Sequence, residues 1–145
     1  MGTFQVEIEI GDPQSERFER VSALVDTGST YTVVPRSLLE RLGVKPHERD
    51  KFRIADGRIV EEDIGRTWVR LDGRSEITLV VFGEEGTAAL LGAYTLEGFR
   101  LAPDPVGRRL VPVEGLLMRE SRGEADVVAA SVSSPRASPA RLGGD

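Results

Sequence analysis

The segment Ala23-Leu24-Val25-Asp26-Thr27-Gly28-Ser29-Thr30 runs three apolar residues of a strand directly into a carboxylate. A charge at the end of a buried strand is costly unless it is hydrogen-bonded or does chemistry. The residues that follow provide the means to hold it. Gly28 lets the backbone turn tightly and present its N–H groups. Thr27 and Ser29 bring hydroxyls that can fix the carboxylate and the loop around it. Asp-Thr-Gly also suits an ordinary Asx turn at a strand end, so the triplet alone leaves both readings open.

Upstream, Val6, Ile8 and Ile10 alternate with Glu7 and Glu9, the period of a strand with one apolar and one wet face. Gly11-Asp12-Pro13 marks a turn, and Phe18 to Val25 forms a second strand that delivers Asp26. Downstream, Tyr31 to Val34 is a short β-branched run. Pro35 then opens a predicted helix with Leu38, Leu39 and Leu42 on one face and Gly43 as its stop. Phe52 to Val60 flanks Asp56-Gly57, and Trp68 to Leu71 with Ile77 to Phe82 flanks Asp72-Gly73, which predicts two hairpins. Ala88 to Leu91 is a buried apolar run ending at Gly92, and a short helical turn is expected at Tyr94 to Phe99. Leu110 to Val113 and Leu116 to Met118 are expected as closing strands. No internal repeat of fixed period is present.

In order, these features resemble the retropepsin-like aspartic peptidases, the retroviral-type single-domain family with bacterial members. The resemblance covers about residues 3–118. It rests on the apolar strand into Asp26-Thr27-Gly28-Ser29, on Tyr31-Thr32-Val33-Val34-Pro35 with the Leu-rich helix, on the Asp56-Gly57 hairpin where the family places its flap, and on Leu90-Leu91-Gly92. It implies an all-β, acid-protease fold: a closed barrel-like domain with one short helix, spanning residues 1–118. Residues 119–145, rich in Ser, Ala, Pro and Arg, are read as a disordered tail.

The resemblance also implies roles. Asp26 is the catalytic carboxylate. Thr27 matches the threonine whose hydroxyl braces the partner's loop. Gly28 matches the glycine whose backbone lies beside substrate and aspartate, and Ser29 the residue that hydrogen-bonds the outer carboxylate oxygen. Gly92 matches the glycine that lets its strand pack behind the active-site loop; a simple turn into a helix is the bland alternative. Ala55, Asp56, Gly57 and Arg58 would form the tip of the substrate-binding flap, although charged Asp56 and Arg58 depart from the glycine-rich tips of viral members. The chemistry needs two carboxylates and the chain carries one such motif, so a homodimer is expected to supply the second Asp26 by symmetry. By the same resemblance, strands near Thr3 and near Leu116 to Met118 would build the interface.

Composition sets bounds. The chain has 145 residues, no cysteine and one histidine, and its formal net charge is −5. Thiol nucleophiles, zinc fingers and multi-histidine metal sites within one chain are excluded, and no metal or other cofactor is called for. The acidic balance lacks the basic footprint of a nucleic-acid binder. The first residues enter a strand pattern without a signal-peptide core, and no apolar run approaches membrane-spanning length, so a cytoplasmic protein with no membrane association is expected. Trp68 is expected as a core or interface anchor, His47 as a surface-loop residue and Arg108-Arg109 as a solvated turn. The expected activity is endopeptidase cleavage of a peptide or protein bound in extended form. The alternatives are a catalytically weak dimeric peptide-binding or scaffold module of the same fold, and a hydrolase of another class with paired carboxylates, such as a glycosidase.

Overall fold

The computed structural model describes residues 3–115 and Leu117. Eleven elements follow one another: β1 (Phe4–Gly11), β2 (Phe18–Val25), β3 (Thr32–Pro35), α1 (Arg36–Arg41), β4 (Glu48–Arg53), β5 (Ile59–Leu71), β6 (Arg74–Gly83), β7 (Ala89–Leu91), α2 (Ala93–Phe99), β8 (Leu101–Asp104) and β9 (Arg109–Pro112). The main sheet runs β1-β2-β7-β3-β6-β5-β4, and β1 also pairs with β5 through Glu9↔Arg70 and Ile10↔Val69. That extra pairing closes a barrel of six strands and leaves β4 outside it, bonded to β5. Closure removes the free edges that an open sheet would expose.

The alternation expected in β1 largely holds: Ile8 and Ile10 are buried and Val6 is half-buried against the core, while Glu7 is exposed and Glu9 half-exposed. The β1 and β2 strands pair over their full length, from Phe4↔Val25 to Gly11↔Phe18. In the turn between them Asp12 is buried, and its Oδ1 accepts the N–H groups of Arg17 at 2.6 Å and Glu16 at 2.7 Å. The Arg17 N–H, with smaller help from Glu16, holds the Asp12 carboxyl below the usual carboxylate range against the opposing effect of burial. The Asp72-Gly73 hairpin forms as expected. Leu71 faces Arg74 across a two-residue turn with positive φ at both Asp72 (50°) and Gly73 (81°), the backbone twist that favours this dipeptide.

Helix α1 begins one residue later than expected. Pro35 is the last residue of β3 and caps the helix, Leu38 and Leu39 face the core, and Gly43 at φ +78° stops the chain from continuing. The expected fold with one short helix is corrected to two, and the second is the helical turn expected at Tyr94 to Phe99. The run after Gly92 is a seven-residue helix that buries Thr95, Leu96 and Phe99 and ends on Arg100 in the left-handed conformation. Strand β8 is not expected from the chain, because Pro103 and Pro105 read as loop punctuation. Its partner β9 ends at Pro112, so the expected closing strand Leu110 to Val113 lies in a separate two-stranded sheet and not in the barrel. Of the expected strand Leu116 to Met118, only Leu117 is described, and it is exposed and outside regular structure; the 119–145 tail lies outside the described residues. Trp68 is half-buried, with its indole N–H donating to the Pro13 carbonyl at 3.2 Å.

The barrel interior is filled by Ile8, Ile10, Val34, Val69, Val80, Phe82 and Leu91, and Leu39, Leu42, Leu96 and Phe99 extend it under the helices. Each large apolar side chain buried in this way stabilises the fold by roughly 1.5–3 kcal/mol. Replacing Leu39 by Ala is expected to cost about 2–5 kcal/mol in chemical denaturation. Acid should act through Asp12. A carboxyl whose pKa is depressed in the folded state contributes stability above its unfolded value, near 3.8, and loses it as pH falls through the folded one. Asp12→Asn should therefore lower the denaturation midpoint clearly at pH 6 and much less at pH 3.

Candidate active site

Strands β2 and β3 are not neighbours. Strand β7 lies between them, parallel to β2 and antiparallel to β3. The connection from Val25 to Thr32 must therefore cross the end of β7, and this crossing is the Asp26-Thr27-Gly28-Ser29-Thr30 loop. It is fastened from below at three points. The Asp26 N–H donates to the Leu91 carbonyl at 3.2 Å, and the Ser29 and Thr30 carbonyls accept the N–H groups of Ala93 (2.9 Å) and Tyr94 (2.8 Å) from the first turn of α2. Gly92 sits between these bonds. A side chain there would lie 2.5 Å from the carbonyl carbon and oxygen of Tyr31 and 2.8 Å from the Thr30 oxygen, so no other residue fits without moving the loop.

Within the loop the Gly28 N–H donates to Asp26 Oδ1 at 2.9 Å, and the Ser29 N–H donates to the Asp26 carbonyl at 3.0 Å. The Asp26 side chain is thus oriented by its own turn and remains partly open to solvent. The Ser29 hydroxyl, expected on the outer carboxylate oxygen, donates instead to the Tyr31 carbonyl at 2.9 Å and stiffens the exit of the loop. Thr27 is exposed, and among the described residues its hydroxyl has no hydrogen-bond partner.

Asp26 lies in an open groove of about 810 Å³ between this loop and the β4–β5 hairpin. Its walls are mainly apolar and include Val33, Phe52, Ile54, Val60, Val81 and Leu90. The hairpin tip is tightly organised. Ile54 N–H donates to the Arg58 carbonyl, Gly57 N–H donates to the Ile54 carbonyl, and Gly57 takes φ +92°. Asp56 accepts the Arg58 N–H at 2.9 Å and pairs with its guanidinium at 2.8 Å, and both hold the Asp56 carboxyl below its ordinary range. The charges at the tip therefore satisfy each other. Of the four tip residues expected from the sequence, Ala55 and Arg58 line the groove with Asp26, Gly28 and Ser29, while Asp56 and Gly57 build the turn.

The support behind the loop carries no signal along the chain. Thr32, Thr78 and Thr95 are buried, and their hydroxyls form a chain: Thr78 to Thr95 at 2.8 Å, Thr95 to Thr32 at 2.6 Å, and Thr32 accepting the Gly92 N–H at 3.1 Å. Strands β6 and β3 and helix α2 are tied by it to the glycine that underlies the loop. Threonine is common in strands, so nothing in the one-dimensional pattern singles these three out. At the root of the hairpin, Asp63 on β5 is held between Arg36 (2.8 Å) and Arg49 (3.0 Å), which keep its carboxyl below the usual range.

Thr95→Val should remove the central hydroxyl and leave the buried Thr78 hydroxyl without its partner and Thr32 with only the Gly92 N–H, lowering stability by about 1–3 kcal/mol in denaturant unfolding, with Thr95→Ser largely restoring it. Gly92→Ala, which must displace Tyr31 backbone, should cost about 1–3 kcal/mol by the same measurement.

A family model described as aspartyl protease matches residues 6–95, which contain the Asp26 loop, the hairpin and Gly92. No curated protein matches the chain. Similar solved structures include the simian foamy virus (mac) protease, at 21% identity over 66% of this chain and 93% of that one with a TM-score of 0.47. They also include the retroviral protease-like domain of Ddi1 from Leishmania major, at 21% identity over 75% and 88% with a TM-score of 0.48. A third is a retropepsin-like aspartic protease from Rickettsia conorii, at 20% identity over 71% and 88% with a TM-score of 0.45. With the family model spanning well over half of its length, this chain belongs to the aspartyl protease family, as its sequence resemblance to the retropepsin-like members implied.

Proposed function

We propose that the protein is an aspartic endopeptidase that works as a homodimer, with one Asp26 from each copy forming the catalytic pair. The observation that carries this reading is the Asp26 carboxylate itself. It is oriented by the Gly28 N–H, partly open, and set on the floor of a groove roofed by a hairpin. One chain supplies one such carboxylate, and a two-fold axis beside the loop supplies another. The hydroxyl of exposed Thr27 suits a bond across that axis.

Two carboxyls at close range cannot both ionise easily, so the pair holds one proton, the pattern for which aspartic proteases are the standard example. The ionised Asp26 takes a proton from water as the oxygen attacks the peptide carbonyl carbon. The protonated partner gives its proton to the carbonyl oxygen. Proton transfer to the amide nitrogen of the tetrahedral intermediate then lets the C–N bond break, releasing a carboxyl and an amine. The substrate lies extended under the hairpin, in the manner of an added strand. The apolar walls favour apolar side chains beside the cleaved bond.

The alternative is a peptide-binding module of the same fold. The observation in its favour is the Asp56–Arg58 pair, which stiffens a tip that must move to admit substrate. Cleavage of a diverse peptide library separates the two. The wild type should cleave with a bell-shaped pH dependence, and Asp26→Asn should be slower by about a thousandfold. Titrating wild type with excess Asp26→Asn should suppress activity through mixed dimers. Cleavage by Asp26→Asn at the wild-type rate would remove Asp26 from the mechanism. Peptide binding by wild type without cleavage at any pH would favour the module.

A further inference from the structure

Tyr31 leaves the catalytic loop with its backbone fixed. Its carbonyl accepts the Ser29 hydroxyl at 2.9 Å and lies against Gly92. Its ring meets two others. The Phe52 ring stands edge-on to it, with centroids 5.7 Å apart and planes at 79°, and the Tyr94 ring is tilted against it at 6.2 Å. Phe52 belongs to β4 and pairs with Val60 across the hairpin, so both side chains project to the same side, toward the groove they line.

This contact matters because of where the hairpin sits. Strand β4 pairs with β5 and with no other strand among the described residues, so the hairpin projects from the barrel as a two-stranded ribbon. Such a ribbon is marginally stable by itself. Its position over Asp26 must come from side chains. The Arg36–Asp63–Arg49 cluster anchors its root. Further out, Tyr31 and Phe52 join its inner side to the catalytic loop.

We propose that Tyr31 is a positioning residue that registers the hairpin against the catalytic loop through the edge-on contact with Phe52. The ring does no chemistry. It is carried by the same backbone that orients Asp26, so the height of the hairpin above the carboxylate is referred to the loop and not to the distant barrel wall. Admitting a substrate requires the contact to part, and closing over it restores the contact. The kinetic part of this proposal rests on the peptidase reading; the structural part does not.

Amide hydrogen exchange on the full chain tests it. The reporters are the Ile54 and Gly57 amides, both hydrogen-bonded at the hairpin tip, and the controls are the Glu16 and Arg17 amides held by Asp12. Phe52→Ala, which lies outside the barrel, and Tyr31→Ala should each speed exchange of the reporters by about three- to tenfold, the worth of an aromatic pair, with the controls unchanged. The double variant should exchange no faster than either single one, and Tyr31→Phe, which keeps the ring, should match wild type. Unchanged reporters in Phe52→Ala, or effects that multiply in the double variant, would overturn the proposal. In peptide cleavage, Tyr31→Ala should raise KM more than it lowers kcat, and an unchanged KM beside faster reporter exchange would remove the role in substrate capture. If no variant and no wild type cleaves peptides, the peptidase reading has failed, and the exchange measurements still decide the contact.

Discussion

The crossing of the Asp26 loop over the end of β7 is the constraint on which the rest of the molecule depends. A loop that joins two strands separated by a third must pass over that third strand, and its backbone groups would otherwise face the core without partners. Leu91, Ala93 and Tyr94 supply those partners, and Gly92 leaves the space. The Asp26 carboxylate is therefore positioned by backbone geometry at the junction of a strand and a helix, where little can shift. The order of strands, the seating of α2 and the absence of a side chain at Gly92 all serve one short stretch of chain.

Among the described residues, three of the five buried polar side chains lie at that junction. The barrel interior is otherwise largely apolar, yet three threonine hydroxyls lie together behind the loop. Each has a partner, so the desolvation that makes buried hydroxyls costly is offset. A chain of hydroxyls is also directional. Apolar packing would tolerate small rotations of α2 against β3 and β6, whereas these bonds admit one arrangement. Specificity of position, more than added stability, is what such a network contributes to a site that must hold a carboxylate in one orientation.

The hairpin stands in contrast. It is a ribbon fastened to the barrel by the Arg36–Asp63–Arg49 cluster and by aromatic rings, with most of its outer residues exposed. Few buried contacts and a two-stranded ladder place it at the low-stability end of the structure, where moving elements are found. A rigid loop therefore faces a more loosely held hairpin across the groove.

Much of this is legible along the chain itself. The alternation in β1, the glycine turns at Asp56-Gly57 and Asp72-Gly73, the stop at Gly43 and the apolar lead into Asp26 are local signals, because each depends on residues a few positions apart and on backbone preferences they carry themselves. The amino-acid sequence by itself thus determined the strands around the site, its aspartate and its glycines. What only the tertiary structure decided is contact between residues far apart in sequence, such as Thr32 with Thr95, Phe52 with Tyr31 and Arg36 with Asp63, together with the Ser29 hydroxyl's choice of the Tyr31 carbonyl. Strand β8 belongs with these, since Pro103 and Pro105 masked it. Side-chain partnerships across a barrel are set by how strands are ordered in space, and that order leaves no periodic trace along the chain.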